Sequence, residues 1–401
     1  MPKPIIGERI RELRKPIYTQ HDLAAAADVS VDVIRKLEQG RRHTASISTL
    51  QRIARALGVD VAELLGRSRT AQATNDDQSP VSAIRDALTS VDDLLGELDD
   101  ADAPDLADLD RDVRYAWGAY FAGRYGPLTA LLPRLLTDAQ AVIHAATAVE
   151  SGRAADLAAQ VHQITAHLTA GTLLDAADLG HVAAREALRL AACAPDPLRT
   201  ASVHNTFGHV LMRQGRFIDA ERVAVAGAEA VQPTGRASTA QLSVYGGLLL
   251  RGANAAARQR RTGAASDLLA DATAVAQRTG VDRTDFEVIF GPSNVIMQTA
   301  DCRVVTENYV EAAEVARRMP RDSTLPLISR GRHLADVAHA ELRLGHARAA
   351  ESALLMMERT APEWTSHHQL PRVLVGELMT RGRPSTLLRE LAHRLNATHR
   401  P

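Results

Sequence analysis

The stretch Gln20–Arg42, QHDLAAAADVSVDVIRKLEQGRR, constrains this chain more than any other. Thr19 offers an N-cap, and Asp22 at N3 completes a loose capping pattern for a helix over residues 20–27. Leu23, Ala24 and Ala27 face inward, and the alanines at 24–27 let a neighbouring helix come close. Asp28-Val29 makes a tight turn, with Val29 plugging the angle. Ser30 caps a second helix over residues 31–39, with Ile34 and Leu37 inward and Val33 at the boundary. Val31, Asp32, Arg35 and Lys36 are left outward at helical spacing. Gly40 permits the left-handed residue that ends the helix, and Arg41, Arg42 and His43 follow as a basic loop.

The flanks supply a small core around this pair. Ile6, Ile10 and Leu13 form one face of a helix over residues 5–13, stopped by Pro16. Leu50, Ile53, Ala54 and Leu57 do the same for residues 48–57, and Asp60 caps a last short helix over residues 61–65. A short helix with Arg and Lys outward, N-terminus leading, suits insertion into the major groove of DNA.

Several of these residues form a pattern. Thr19-Gln20, Leu23-Ala24, Val29-Ser30, Ile34, Leu37-Glu38, Gly40-Arg41-Arg42, Leu50, Ile53-Ala54 and Ala56-Leu57-Gly58-Val59 together resemble the Cro-type (XRE) helix-turn-helix family, with its lambda-repressor-like five-helix fold. The resemblance implies DNA binding. Gln20 would touch a phosphate or an outer base, and Ser30 would contact phosphate while capping its helix. Val31, Asp32, Arg35 and Lys36 would face base edges. The backbone near Gln39, with Arg41 and Arg42, would grip phosphates. Many members carry Gly where Asp28 stands; Asp tolerates the left-handed conformation.

At 401 residues the chain is long enough for two or more units. Its hydrophobic content is 45% but aromatics are only 3%, so Ala and Leu must fill the core, as in stacked helices. The net charge of −1 hides an asymmetry: residues 1–70 carry an excess of Lys and Arg, and the remainder an excess of acids. A basic head on an acidic body implies that only the head meets a polyanion. Two distant cysteines, Cys193 and Cys302, make neither a disulfide framework nor a zinc site, and are expected as buried or half-buried thiols. No signal peptide and no run of about 20 apolar residues is present, so a soluble cytoplasmic protein without a membrane partner is expected.

The organisation expected is a DNA-binding head over residues 5–66, a polar linker over 67–80 and a helical body over 81–401. Ile84, Leu88, Val91, Leu95 and Leu98 predict a helix over residues 81–98. The acidic run between Asp92 and Asp112 lacks the glycine and the ligand order of a calcium loop and reads as a solvated face. Further on, amphipathic helices end at corners marked by Gly215, Gly263 and Gly345, with another corner at Glu307-Asn308-Tyr309. A recurrence of roughly 40 residues with paired helices is typical of TPR-like or HEAT-like stacks. Strands are not expected anywhere.

Trp117-Gly-x-Tyr120, Gly123-x-Tyr125 and Leu128 to Leu136 resemble the opening unit of degenerate TPR repeats; another all-α bundle is the rival. Head and body together resemble two bacterial groups, the peptide-sensing regulators called RRNPP and the actinobacterial XRE–TPR regulators. The Ala/Arg/Asp-rich composition suits the second better. That resemblance implies a homodimeric transcriptional regulator of double-stranded operator DNA, with a body for dimerisation and for sensing a peptide or small-molecule effector. First helices of TPR hairpins line the concave face, which makes His204, Asn205, Tyr245, Asn254, Asn294 and Gln298 effector-binding candidates. Plain capping and interhelical bonding compete with that role for each of them. Pro292 suits the first turn of a helix on which Asn294 and Gln298 share a face.

No phosphate-binding loop, dinucleotide fingerprint, HExxH or nucleophile elbow occurs. His162 and His167, or His204 and His209, are spaced to split around a helix, and His367-His368 fall in a turn, so no metal, cofactor or catalytic set is expected. The alternative to a regulator is an interaction scaffold or antitoxin-like partner whose body binds a protein.

Overall fold

The computed structural model describes residues 10–11, 14, 19–27, 29–39, 49, 52–53, 56–57, 80–91, 103–172, 176–381 and 384–397. Contacts divide the chain into two compact units, Met1–Ser79 and Pro80–Pro401.

In the first unit α1 (Gln20–Ala26) and α2 (Val31–Glu38) form the helix pair. Thr19 caps α1: its hydroxyl accepts from the Asp22 N–H at 3.2 Å, while the Asp22 carboxylate accepts from the Thr19 N–H at 3.0 Å. Leu23, Ala24 and Ala27 of the first helix region meet Ile34 and Leu37 of α2, with Ile10, Ile53 and Leu57 completing a small core. Gly40, Arg41, Arg42, Asp28, the helix expected over 61–65 and residues 67–79 of the expected linker lie outside the described residues, while Pro80 is already helical.

The second unit is a stack of antiparallel helix pairs. After α3 (Pro80–Leu88) come α4 (Leu106–Phe121) with α5 (Tyr125–Ala145), α6 (Ser151–Gly171) with α7 (Ala177–Ala191), and α8 (Pro197–Arg213) with α9 (Phe217–Ala230). The next pair is α10 (Thr239–Arg258) with α11 (Thr262–Thr279). A hairpin of β1 (Arg283–Asp285) and β2 (Val288–Phe290) follows. Then come α12 (Pro292–Val305) with α13 (Tyr309–Ala316), and α14 (Leu327–Arg343) with α15 (Ala347–Thr360). Three short helices close the unit: α16 (Pro362–His367), α17 (Gln369–Thr380) and α18 (Thr386–Arg394). Alanine makes the stacking possible. Ala220, Ala224, Ala253, Ala256 and Ala272 are fully buried where α9, α10 and α11 meet, so the backbones can pack closely.

Between helices of the described residues one corner recurs five times. Gly123, Gly215, Arg260, Glu307 and Gly345 adopt left-handed φ angles of 69°, 73°, 61°, 64° and 84°. In each case the next N–H bonds back to a carbonyl five residues earlier, as in Arg216 to Leu211 at 2.9 Å and Arg261 to Ala256 at 3.0 Å. This is the bonding of a Schellman cap, and it closes one helix and aims the next with a single geometry. The corner after α10 is thus at Arg260, not at Gly263, which already belongs to α11. The expected corner at Glu307-Asn308-Tyr309 is present.

Three other expectations change. The helix predicted over 81–98 is interrupted after Leu88, with Val91 exposed, and residues 92–98 of that prediction lie outside the described residues. Cys302 is buried but Cys193 is exposed. The two-stranded hairpin was not expected. Arg283 pairs with Phe290 and Asp285 with Val288, leaving Phe286 and Glu287 as a two-residue turn, both with positive φ. Such a turn normally takes Asn or Gly. Arg199 offsets the strain: its guanidinium lies 5.1 Å from the Phe286 ring centroid and ion-pairs with Glu287. The hairpin lies on α10 because Gly246 and Gly247 leave room. A Cβ at these positions would fall 2.1 Å from Phe290 and 2.2 Å from Val288.

Candidate functional site

On α2 one face is spent on the core and the other is open. Asp32, Arg35 and Lys36 are exposed; Val31 is half-buried against the core rather than outward, because it packs beside Ile34 and Leu37. Lys36 Nζ lies 2.6 Å from Asp32 Oδ2, one helical turn back. The Lys36 ammonium hydrogen bond holds the Asp32 carboxyl below its ordinary range. Arg35 has no such partner among the described residues. Ser30 stands at the N-cap, yet its hydroxyl makes no capping bond. Gln39 is exposed, with its N–H bonded to the Arg35 carbonyl at 3.0 Å.

Glu38, quoted above only as part of a pattern, ties the pair together. Its side chain is 4% exposed and accepts from Arg14 Nε at 2.7 Å and from Gln20 Nε2 at 2.7 Å. Gln20 is therefore held by α2 at the start of α1, with its amide orientation fixed by Glu38.

The second unit holds a cavity of about 260 Å³. First helices of successive pairs supply most of its wall, α4, α6, α8, α10, α12 and α14, joined by Tyr125 of α5, Trp364 of α16 and the hairpin at one side. Its polar wall is dominated by guanidinium groups. Arg258 donates to Asp301 at 3.1 and 3.2 Å, and Arg332 reaches both Asp301 and, through Nε at 3.1 Å, Asp336. Arg251 donates through Nε to Asn205 Oδ1 at 3.1 Å, and Arg213 donates to the carbonyls of Ala170 and Gly171. Burial pulls Arg251 down to about 10. Burial also lowers Arg213, with repulsion from Arg332 and Arg258 adding to it. The wall's histidines follow the same field. Burial, helped by Arg251, takes His167 to about 3. His209, stacked on His167 at 5.0 Å, also falls far below its ordinary value through burial. Both are neutral at physiological pH.

Four of the six effector candidates meet at this cavity: Asn205, Asn254, Asn294 and Gln298. Asn254 Nδ2 donates to Gln298 Oε1 at 2.8 Å, and Asn294 Nδ2 donates to the Ile289 carbonyl at 2.6 Å. The Asn294 Oδ1 is buried without a partner among the described residues. The other two stand apart. His204 borders a separate groove along α9, and Tyr245 packs on the apolar cluster around Leu248. The arginines were missed in the sequence. Their only signal is a period: Arg199 reaches Asp156, and Arg258 reaches Asp301, each across 43 residues.

Residues 10–64 match the family model described as HTH_3, helix-turn-helix. The first unit thus contains a helix-turn-helix domain of XRE-like type. No curated protein matches the chain. Among solved structures, one from Bacillus thuringiensis, PlcR in complex with the peptide PapR7 and DNA, shares 10% identity. It covers 87% of this chain and 98% of its own, at a TM-score of 0.35. A mutant of PrgX shares 11% identity, covering 97% and 99%, at a TM-score of 0.26. Scores this low carry no argument about function.

Proposed function

We propose that the chain is a sequence-specific DNA-binding transcriptional regulator whose helical body pairs two copies and senses an effector. The observation that supports this most is the exposed Asp32, Arg35 and Lys36 face of α2, set opposite a buried Ile34 and Leu37 within a helix-turn-helix domain. In that motif the second helix lies in the major groove with its outward side chains on base edges. Arg35 reads a base, while Gln20, Ser30 and the backbone near Gln39, with Arg41 and Arg42, hold phosphates. In the body, the walls of the cavity come from eight separate helices, so an occupant touching several of them would couple the repeats to one another.

Selection of bound duplexes from a random pool with the full chain tests the reading. A symmetric pair of half-sites, spaced by about one helical turn or a multiple, is the expected product. Arg35→Ala should cost about 1–3 kcal/mol on the selected site and relax one position. Equal losses on selected and random DNA would reject base reading by Arg35. A chain that enriches no sequence at all would reject the regulator.

A further inference from the structure

The cavity carries more positive charge than its carboxylates balance. Four guanidinium groups line it: those of Arg213, Arg251, Arg258 and Arg332. Asp301 is shared by Arg258 and Arg332, and Asp336 accepts from Arg332 again. The third carboxylate on the wall, Glu287, is taken by Arg199. Among the described residues neither Arg213 nor Arg251 has a carboxylate partner. Arg251 uses only its Nε, which leaves both terminal amino groups unspent. Its stem is led in over Gly208, where a Cβ would fall 2.9 Å from Arg251 Cγ. Arg251 is half-buried and Arg213 exposed on the same wall, so both can offer free N–H groups to an anion that enters the cavity.

A second, independent feature points the same way. The Trp117 indole is 5% exposed, lines the cavity, and its Nε1–H has no partner among the described residues. Trp117, Phe121 and Trp364 build an aromatic wall, with His368 stacked on Trp364 at 4.2 Å. Flat apolar surface beside unpaired donors suits a molecule with an apolar body and an acidic head.

We infer that the cavity binds a small organic anion, with its carboxylate or phosphate between Arg213 and Arg251 and its apolar part against Trp117 and Trp364. The volume sets the size class. About 260 Å³ is below the range of roughly 300–1,000 Å³ that encloses drug-sized ligands, which favours a small metabolite over an extended peptide. The inference rests on the effector-sensing part of the function proposed above and specifies the chemistry of the effector.

The chain contains two tryptophans, and both line this cavity, so intrinsic fluorescence reports on it directly. The full chain is titrated, without DNA, with 4-phenylbutyrate, with phenyl phosphate and with the neutral 4-phenylbutyramide. Saturable quenching by at least one anion is expected, with the amide weaker by roughly tenfold or more. Preference between the two anions tells carboxylate from phosphate. Arg251→Met and Arg213→Met should each weaken the anion by roughly tenfold, and Arg251→Lys should recover part of the loss. Arg222→Met, at a side chain that is 78% exposed and away from the cavity, should change nothing. The inference is overturned if the amide binds as tightly as the acid, if no anion quenches, or if tight binding is found only for extended peptides. Because no DNA is present, failure here leaves the DNA-binding proposal standing, and selection of duplexes tests that separately.

Discussion

Asp301 on α12 and Asp336 on α14 share one guanidinium, that of Arg332. Asp301 also holds Arg258, so it has two cations while Asp336 has one. The two carboxyls therefore move in opposite directions. Burial works against the charge on Asp301, but Arg258 and Arg332 outweigh it and hold this carboxyl below its usual range. For Asp336, whose side chain is 1% exposed, burial wins over Arg332 and pushes it up.

This asymmetry predicts opposite pH behaviour. The depressed Asp301 contributes stability that is present above the ordinary Asp value of about 3.9 and lost on acidification below it. The raised Asp336 favours the folded state below about 3.9, and that contribution is lost as pH rises toward neutrality. Asp301→Asn should thus destabilise the body by about 3–5 kcal/mol at neutral pH, as expected when one partner of a buried ion pair is removed. Asp336→Asn should be far milder, and its melting temperature relative to the parent should improve from pH 5 to pH 8. Thermal unfolding of the two variants across that range checks both statements; a worsening of Asp336→Asn with rising pH would contradict the second.

Glu38 is expected to matter for the head without touching DNA. It accepts from Arg14 and from Gln20, and its side chain is almost fully buried. Glu38→Ala removes the acceptor of a charge-assisted bond and should cost about 2–3 kcal/mol. Hydrogen exchange in the full chain would show faster exchange across residues 19–39 and unchanged protection in α10. Glu38→Gln, which keeps one acceptor oxygen, should lie between the two.

The Asp32–Lys36 pair gives a prediction about salt. Lys36 is tethered to a carboxylate that would face a phosphate-lined groove. Asp32→Asn frees the ammonium and removes a repulsive charge, so binding to random duplex should tighten. The slope of log K against log salt should steepen by about one unit if Lys36 then neutralises a phosphate. An unchanged slope with weaker binding to the selected site would instead mark Asp32 as a base reader.

The head was legible because its information is local. Thr19, Asp22, Leu23, Ile34 and Leu37 sit at helical spacings, and the structure puts each where that spacing demands. The helix pairs of the body were legible for the same reason. The corner at Glu307 was legible too, but for the one at Arg260 the sequence points to Gly263 instead, since Arg260 takes a conformation that sequence reasoning assigns to glycine. Arg260 Nη2 lies 2.5 Å from Glu307 Oε1, so the two unusual corners are joined. The hairpin escaped notice because Phe286 and Glu287 are not turn formers; Arg199, distant in sequence, holds them. The cavity was half legible. Amide side chains on first helices stood out, whereas Arg251 facing inward reads the same as Arg222 facing solvent.

Two glycines on neighbouring helices make the last prediction, and they should respond with opposite sign. Gly263 lies in the first turn of α11, and a Cβ there would meet nothing within 4 Å. Gly263→Ala should stabilise the body by about 0.5–1 kcal/mol, because alanine loses less backbone freedom in a helix. Gly246 lies in α10 under the hairpin, where a Cβ would overlap the Phe290 ring at 2.1 Å. Gly246→Ala should cost about 1–3 kcal/mol through overpacking, despite the same gain in helix propensity. The cost should appear first as displacement of the hairpin, whose Glu287 and Ile289 form part of the cavity wall. Denaturant unfolding measures the sign of each change, and tryptophan fluorescence of the folded Gly246→Ala chain reports whether the cavity has shifted. Stabilisation by both substitutions would mean that the hairpin does not press on α10.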